Sequence, residues 1–225
     1  DITGRRALER FDVGFKHIFK IRLLHAYSRL MILKDANWNS DDWGKPLNLY
    51  DMLATNLGFS LVFLDGLRKM NFNPSEEEIN GVFHFWKYVG HLLGIDAKYI
   101  PNNEKEAIHL LYCWSISQLD ADEETKSLSI ALMEEPLSSK YPTKHWLRVM
   151  MKEIHLSYNN YFLGKDDCKT LGLRTSNFNA ALISRKLNFL VEKRVNSNAK
   201  LKEIMRIKGR KKQEFIRDYI QGKIK

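Results

Sequence analysis

The segment Lys20-Ile-Arg22-Leu-Leu-His25-Ala-Tyr-Ser-Arg29 sets one imidazole between two guanidiniums in an otherwise apolar run. On a helix of about 3.6 residues per turn, positions three and seven apart lie within roughly 60° of each other, so Arg22, His25 and Arg29 share a face. Burying that face is costly unless its charges meet an anion. Arginine stays charged, and a neutral imidazole is a common metal ligand. Carboxylates for the guanidiniums and a metal for the imidazole answer both needs, and a single b-type haem carries both. The competing reading of the same residues is a hydrogen-bonded or solvated histidine between two solvated arginines.

No other cluster offers chemistry of equal reach. His84 and His91 fall on nearly one helical face, but a spacing of seven spans two turns, too far for one ion to be held as an i, i+4 pair holds it. Phe83, Trp86 and Tyr88 read as core aromatics, and Gly90 and Gly94 leave room for close approach of backbone or cofactor. His17, His109, His145 and His155 read as surface or packing residues. Cys113 and Cys168 make neither a disulfide framework nor a covalent haem attachment site. Their sparseness fits a reducing compartment. Phosphate-binding glycine loops, nucleophile elbows and zinc-protease motifs are missing from the sequence.

The downstream residues sharpen the first motif. Arg22-x-x-His25-Ala26-x-x-Arg29 is followed by Trp43-Gly44-x-Pro46-x-Asn48, then by Asp51-x-x-x-Thr55 with Phe59-Ser60 after it. Leu64-Asp-Gly66-Leu67-Arg68, Trp86-Lys-Tyr-Val-Gly90-His-Leu-Leu-Gly94-Ile95 and Pro101 come next, with fainter matches at Tyr161-Phe-Leu-Gly164 and Leu171-Gly-Leu173. In this order the chain resembles the MpaB and rubber oxygenase (latex clearing protein) family up to about residue 175. The resemblance implies a helical fold around a haem, with His25 as the proximal iron ligand. It gives Arg22 and Arg29 charge-assisted contacts to the haem propionates or the ligand's surroundings. It makes Thr55, with Asp51 one turn before it, a polar pair that orients His25 or a bound water. A second reading of Thr55 is a hydroxyl bonded back to its own helix.

The chain also departs from these relatives. Some carry Gln where Leu49 stands, and rubber oxygenases carry a second His where Leu30 stands. The distal Lys that those relatives use has no clear counterpart in Thr3-Gly4-Arg5-Arg6-Ala-Leu-Glu9-Arg10. Lys16 and Lys20 lie too near His25 on its own helix to reach the opposite haem face. An open or water-bound sixth position is the expectation that follows.

The elements that position these residues are helical almost throughout, since period-two alternation is scarce. The first helix is expected over Ile18–Leu33, followed by a polar turn through Pro46. Asn48 caps a second helix to about Met70. Asn73-Pro-Ser75-Glu-Glu-Glu starts a third that ends near Gly94, with Ser75 and its acidic first turn as the signal. Pro101-Asn-Asn-Glu opens one to about Leu119, and Asp122 caps one ending before Pro136. Thr143 caps one over 145–164, a short helix covers 166–170 before Gly172, and helical period resumes over 176–195.

At 225 residues and 44% apolar, the chain suits one substantial core. No bilayer-spanning run and no signal-peptide pattern are evident, so a cytoplasmic protein is expected. The formal charge of +9 is concentrated at one end, where ten basic and three acidic residues within 200–225 give a net +7. Leu201, Ile204, Met205, Ile207, Phe215, Ile216, Tyr219 and Ile220 recur there at three- and four-residue spacings, interrupted by Gly209, as in an amphipathic basic helix or helix pair. Such a tail covers the main bundle with its basic face solvated, or touches an anionic membrane. No motif points to specific nucleic-acid readout.

The expectation is an all-α, single-domain multi-helix bundle enclosing haem b over residues 1–195, with a basic helical tail over 196–225. Its expected activity is that of an oxidoreductase activating dioxygen or peroxide. By analogy with the relatives, oxidative cleavage of an unsaturated, isoprenoid-like apolar substrate is the expected reaction. Arg22 and Thr55 are the expected catalytic residues, with His25, Arg29 and Asp51 completing the cofactor site. The alternatives are a non-catalytic haem-binding or haem-sensing protein, and a membrane- or nucleic-acid-binding module acting through the tail.

Overall fold

The computed structural model describes every residue except 1, 5, 36, 139–143, 177, 221 and 223–225. Its helices are α1 (Val13–Ile32), α2 (Ser40–Trp43), α3 (Leu49–Leu57), a π-helical turn (Gly58–Val62), α4 (Phe63–Lys69), α5 (Glu76–Leu93) and α6 (Glu104–Ser115). They continue with α7 (Glu123–Ser138), α8 (His145–Leu163), α9 (Lys165–Thr170), α10 (Ala180–Asn196) and α11 (Ala199–Ile220). No strand occurs among the described residues. None of their helices is long and apolar enough to cross a membrane.

The chain divides into two compact units, the first comprising 1–64, 74–117 and 203–225, the second 65–73 and 118–202. The expected boundary at 195/196 falls inside the second of these. In the first unit α1 packs on α5, and α3 with its π-turn packs on α5 and α6. One core there joins Leu57, Leu61 and Leu64 to Phe83 and Ala107, and a second joins Leu53, Ile95 and Ile100. In the second unit α8 packs against α7, α9 and α10, and Met133, Leu156, Cys168 and Leu173 form its core.

Several element boundaries follow from side chains that satisfy helix ends. Asn48 accepts from the Tyr50 and Asp51 amides, which fixes the start of α3. Ser75 and Glu78 close a reciprocal capping box at the start of α5, and Gly94 ends that helix at φ +101°. The Asp122 carboxylate accepts from the Thr125 amide at the head of α7. The expected cap at Thr143 lies outside the described residues.

Other boundaries differ from expectation. The first helix starts at Val13, because Asp12 accepts from the Val13 amide and Phe15 N–H finds the Ala7 carbonyl. The expected polar turn contains the short α2, where Asn39 accepts from the Asp41 and Asp42 amides. The expected helix from Asn48 to Met70 is interrupted by the π-turn. There the Ser60 hydroxyl donates to the Asn56 carbonyl at 3.0 Å, competing with the backbone ladder where it widens. The helix expected to reach Leu119 stops at Ser115, as the Ser115 and Ser117 hydroxyls take the Tyr112 and Trp114 carbonyls. Pro136 lies inside α7 rather than beyond it, buried in the last turn. Helix α10 starts at Ala180 rather than Ser176, since the Ser176 hydroxyl accepts from the Phe178 amide in a local turn.

Candidate functional site

Helices α1, α3 and α5 of the first unit surround a cavity of about 420 Å³. His25 reaches it from α1 beside Ile18 and Ile21, Asp51, Met52, Thr55 and Asn56 line it from α3, and Trp86, Val89 and Leu93 line it from α5. Phe59, in the π-turn, stacks on Trp86 with ring centroids 4.9 Å apart and planes at 13°. The walls are therefore mostly apolar, with one imidazole, one carboxylate, one hydroxyl and one amide among them.

His25 is half-buried, and its Nδ1 is buried without a hydrogen-bond partner among the described residues. A buried imidazole nitrogen left unpaired is unfavourable by about 1–3 kcal/mol, a cost that a metal ion or a water at Nδ1 would offset. Asp51 accepts a 2.6 Å hydrogen bond from the Asn48 amide group, which ties its carboxylate to the start of α3. Thr55 is exposed and its hydroxyl donates to the Asp51 carbonyl at 3.0 Å. The back-bonded rotamer thus holds for Thr55, while the side chain still borders the cavity.

The two arginines of the motif flank His25 without lining the cavity. Arg22 donates through Nη1 to the Leu92 carbonyl at 3.3 Å. Arg29 donates through Nε to the Pro46 carbonyl at 3.1 Å and through Nη2 to the Leu47 carbonyl. Leu47 sits at φ +49°, a conformation that is strained for a leucine.

Asn56 is the residue of the site that sequence reasoning missed. It is 4% exposed, and its amide donates to the Trp86 carbonyl at 2.9 Å. Gly90 makes this possible: a Cβ there would stand 3.0 Å from Asn56 Nδ2 and 2.9 Å from Ile100 Cδ1. The available signal was an amide directly after Thr55 in an apolar stretch, where a buried polar group demands a partner.

A planar apolar macrocycle held by one imidazole suits these residues, on the buried, unpaired Nδ1 of His25 and the Ile, Met, Phe and Trp walls. The described residues contain no group of three His, Cys, Asp or Glu placed to hold a metal ion. A haem iron needs only a single protein ligand. His84 and His91 lie with Lys87 on the opposite side of α5, along a separate groove.

Residues 12–191 match the family model described as ER-bound oxygenase mpaB/B'/Rubber oxygenase, catalytic domain. No curated protein and no solved structure matches the chain.

Proposed function

Since the chain belongs to the MpaB and rubber oxygenase family, whose membership suggests an oxidoreductase or oxygenase role, we propose that it is a haem-b-dependent oxygenase acting on an unsaturated, isoprenoid-like substrate. The observation that carries this reading is His25, placed within the matched stretch, with a buried unpaired nitrogen beside an apolar cavity. In this reading His25 is the iron ligand. The haem supplies the iron at which dioxygen or peroxide is activated, a capacity that side chains lack.

The protein's own contribution is to bind, orient and exclude. Ile18, Ile21, Met52, Val89 and Leu93 keep water from the apolar ligand. The Phe59–Trp86 pair offers a rigid aromatic wall along which an unsaturated chain can lie. Asp51, fixed by Asn48, and the Thr55 hydroxyl form the polar edge at which a water or a proton would be held. Dioxygen and a small apolar substrate are the partners that this arrangement fits.

The test is the visible absorption spectrum of the protein produced with ample haem, compared with His25→Ala. A Soret band in the wild type that is lost in the variant supports the assignment. A wild type with no Soret band and no uptake of added haem overturns it. Retained haem without turnover of any unsaturated isoprenoid under oxygen favours a haem carrier or sensor instead.

Helix α11 supports an accessory reading, peripheral contact with an anionic membrane. Ile204, Met205, Ile207, Phe215 and Ile216 are each exposed on a strongly basic helix. Deleting residues 200–225 should abolish salt-sensitive binding to anionic vesicles while leaving the Soret band unchanged. Equal vesicle binding by the truncated chain removes this reading.

A further inference from the structure

We propose that Arg22 and Arg29 are positioning residues, two splints that tie α1 to the other walls of the cavity and thereby fix the face on which His25 stands. The inference deepens the proposed function and rests on it for the role of His25.

Each guanidinium meets the end of a wall helix. The Leu92 carbonyl that receives Arg22 lies in the last turn of α5, where carbonyls have no partner within the helix and the helix dipole favours a cation. The guanidinium fits there because residue 94 is glycine. A Cβ on Gly94 would stand 3.1 Å from Arg22 Cζ and 3.2 Å from its Nε and Nη2. The left-handed backbone at φ +101° favours the same residue for a separate reason.

Arg29 grips the other wall. Its two donors take consecutive carbonyls, Pro46 and Leu47, immediately before the Asn48 cap of α3. A planar fork can hold two acceptors at once, which a lysine ammonium cannot do with the same geometry. The second of these carbonyls belongs to the strained Leu47, so the grip also stabilises the turn that aims Asn48 at Asp51.

His25 sits three residues after one splint and four before the other, on the face that they share. Rotation of α1 about its axis would break both contacts together. Neither arginine lines the cavity or has a carboxylate partner among the described residues. The pair therefore acts through His25 rather than on a bound ligand.

The test compares Arg22→Lys and Arg29→Lys with the wild type in two states. Both variants keep the charge and most of the apolar stem, so an ion pair with a propionate would survive, while Arg29→Lys loses the fork across two carbonyls and Arg22→Lys loses the planar group seated against Gly94. In the unloaded protein, the imidazole NMR resonances of His25 should shift in both variants. In titrations with haem and with haem dimethyl ester, whose propionates are masked, each variant should lose affinity for both ligands by the same factor. That factor is about tenfold, the scale of one charge-assisted hydrogen bond.

Gly94→Ala, which crowds the Arg22 guanidinium while keeping it, should move the same His25 resonances. Unmoved resonances in all three variants overturn the proposal. So does a wild-type preference for haem over the ester that Arg29→Leu abolishes and Arg29→Lys keeps, since that pattern marks a propionate partner. If the wild type takes up neither ligand, the haem reading fails, yet the resonances of the unloaded protein still decide the splints.

Discussion

Asn56 and Asn160 both reach from a helix to the backbone of a distant segment, but they build opposite interiors. The Asn160 amide donates to the Arg174 carbonyl at 3.1 Å, and its oxygen accepts from the Ser176 amide at 2.6 Å. Nearby, Tyr158 donates to the Ser184 hydroxyl, the Ser157 hydroxyl accepts from the Ala181 amide, and Leu156 is fully buried. The second unit thus uses its polar groups to close seams over a filled core. In the first unit, Asn56, Arg22 and Arg29 each hold a carbonyl of another segment around a space that no side chain fills. An asparagine amide donating to a backbone carbonyl helps seal one interior and prop the other open. A filled interior depends on volume, whereas a hollow one depends on the length and direction of its props.

That contrast can be broken by substitutions of each kind. Leu156→Ala should cost the second unit about 2–5 kcal/mol, since a fully buried leucine is lost from a packed core. Chemical denaturation would read it, and a loss below about 1 kcal/mol would mean that the core is not filled as described.

Gly90→Ala should cost the first unit about 1–3 kcal/mol through overpacking against Ile100 and Asn56. Because Asn56 would be pushed from the Trp86 carbonyl, the near-ultraviolet circular dichroism of the Phe59–Trp86 stack should change as well. An unchanged aromatic signal would show that Asn56 does not hold this wall.

The smallest effect is one of pH and should be shared by both units. Hydrogen bonds from the Asn102 backbone amide, then from the Asn102 side chain, hold the Glu106 carboxyl below its usual range. Hydrogen bonds from the Thr125 hydroxyl, then from its amide, do the same for Asp122. Each folded-state pKa is lowered, so the stabilisation is fully present above the ordinary carboxyl values near about 4 and is lost as pH falls through the lowered ones. Glu106→Gln and Asp122→Asn should each flatten the acid limb of denaturation midpoint against pH. Steepening in either variant would mean that ionisation of that carboxyl destabilises the fold.

The helix ends were largely legible, because capping is local. Asn48, Ser75 with Glu78, Asp122 and Gly94 act on residues within a few positions of themselves, and all four do in the structure what their neighbours imply. Three of the exceptions, the π-turn, the end of α6 and the start of α10, have a common cause. The hydroxyls of Ser60, Ser115, Ser117 and Ser176 bind nearby polar groups and so redirect or shorten the helices around them. Their hydroxyls can point to solvent equally well, and the sequence alone does not choose between these rotamers.

The candidate site was half legible for a related reason. The shared face of Arg22, His25 and Arg29 follows from helical period alone, and so does the spacing of Asp51 and Thr55 one turn apart. What the arginines meet could not be read in the same way, because their acceptors stand 17, 18 and 70 residues away. Backbone carbonyls carry no residue identity, so no choice of side chain marks a carbonyl as the target of a guanidinium.

The sequence by itself determined the helical class, the register of the motif on α1 and the caps that start α3, α5 and α7, since each depends on interactions within a turn or two. Only the tertiary structure decided that the motif arginines face carbonyls, that Asn56 braces Trp86 across Gly90, and that a cavity remains between α1, α3 and α5. Those outcomes depend on how separate segments approach one another in space, and hydrogen-bond direction and excluded volume act there without regard to distance along the chain.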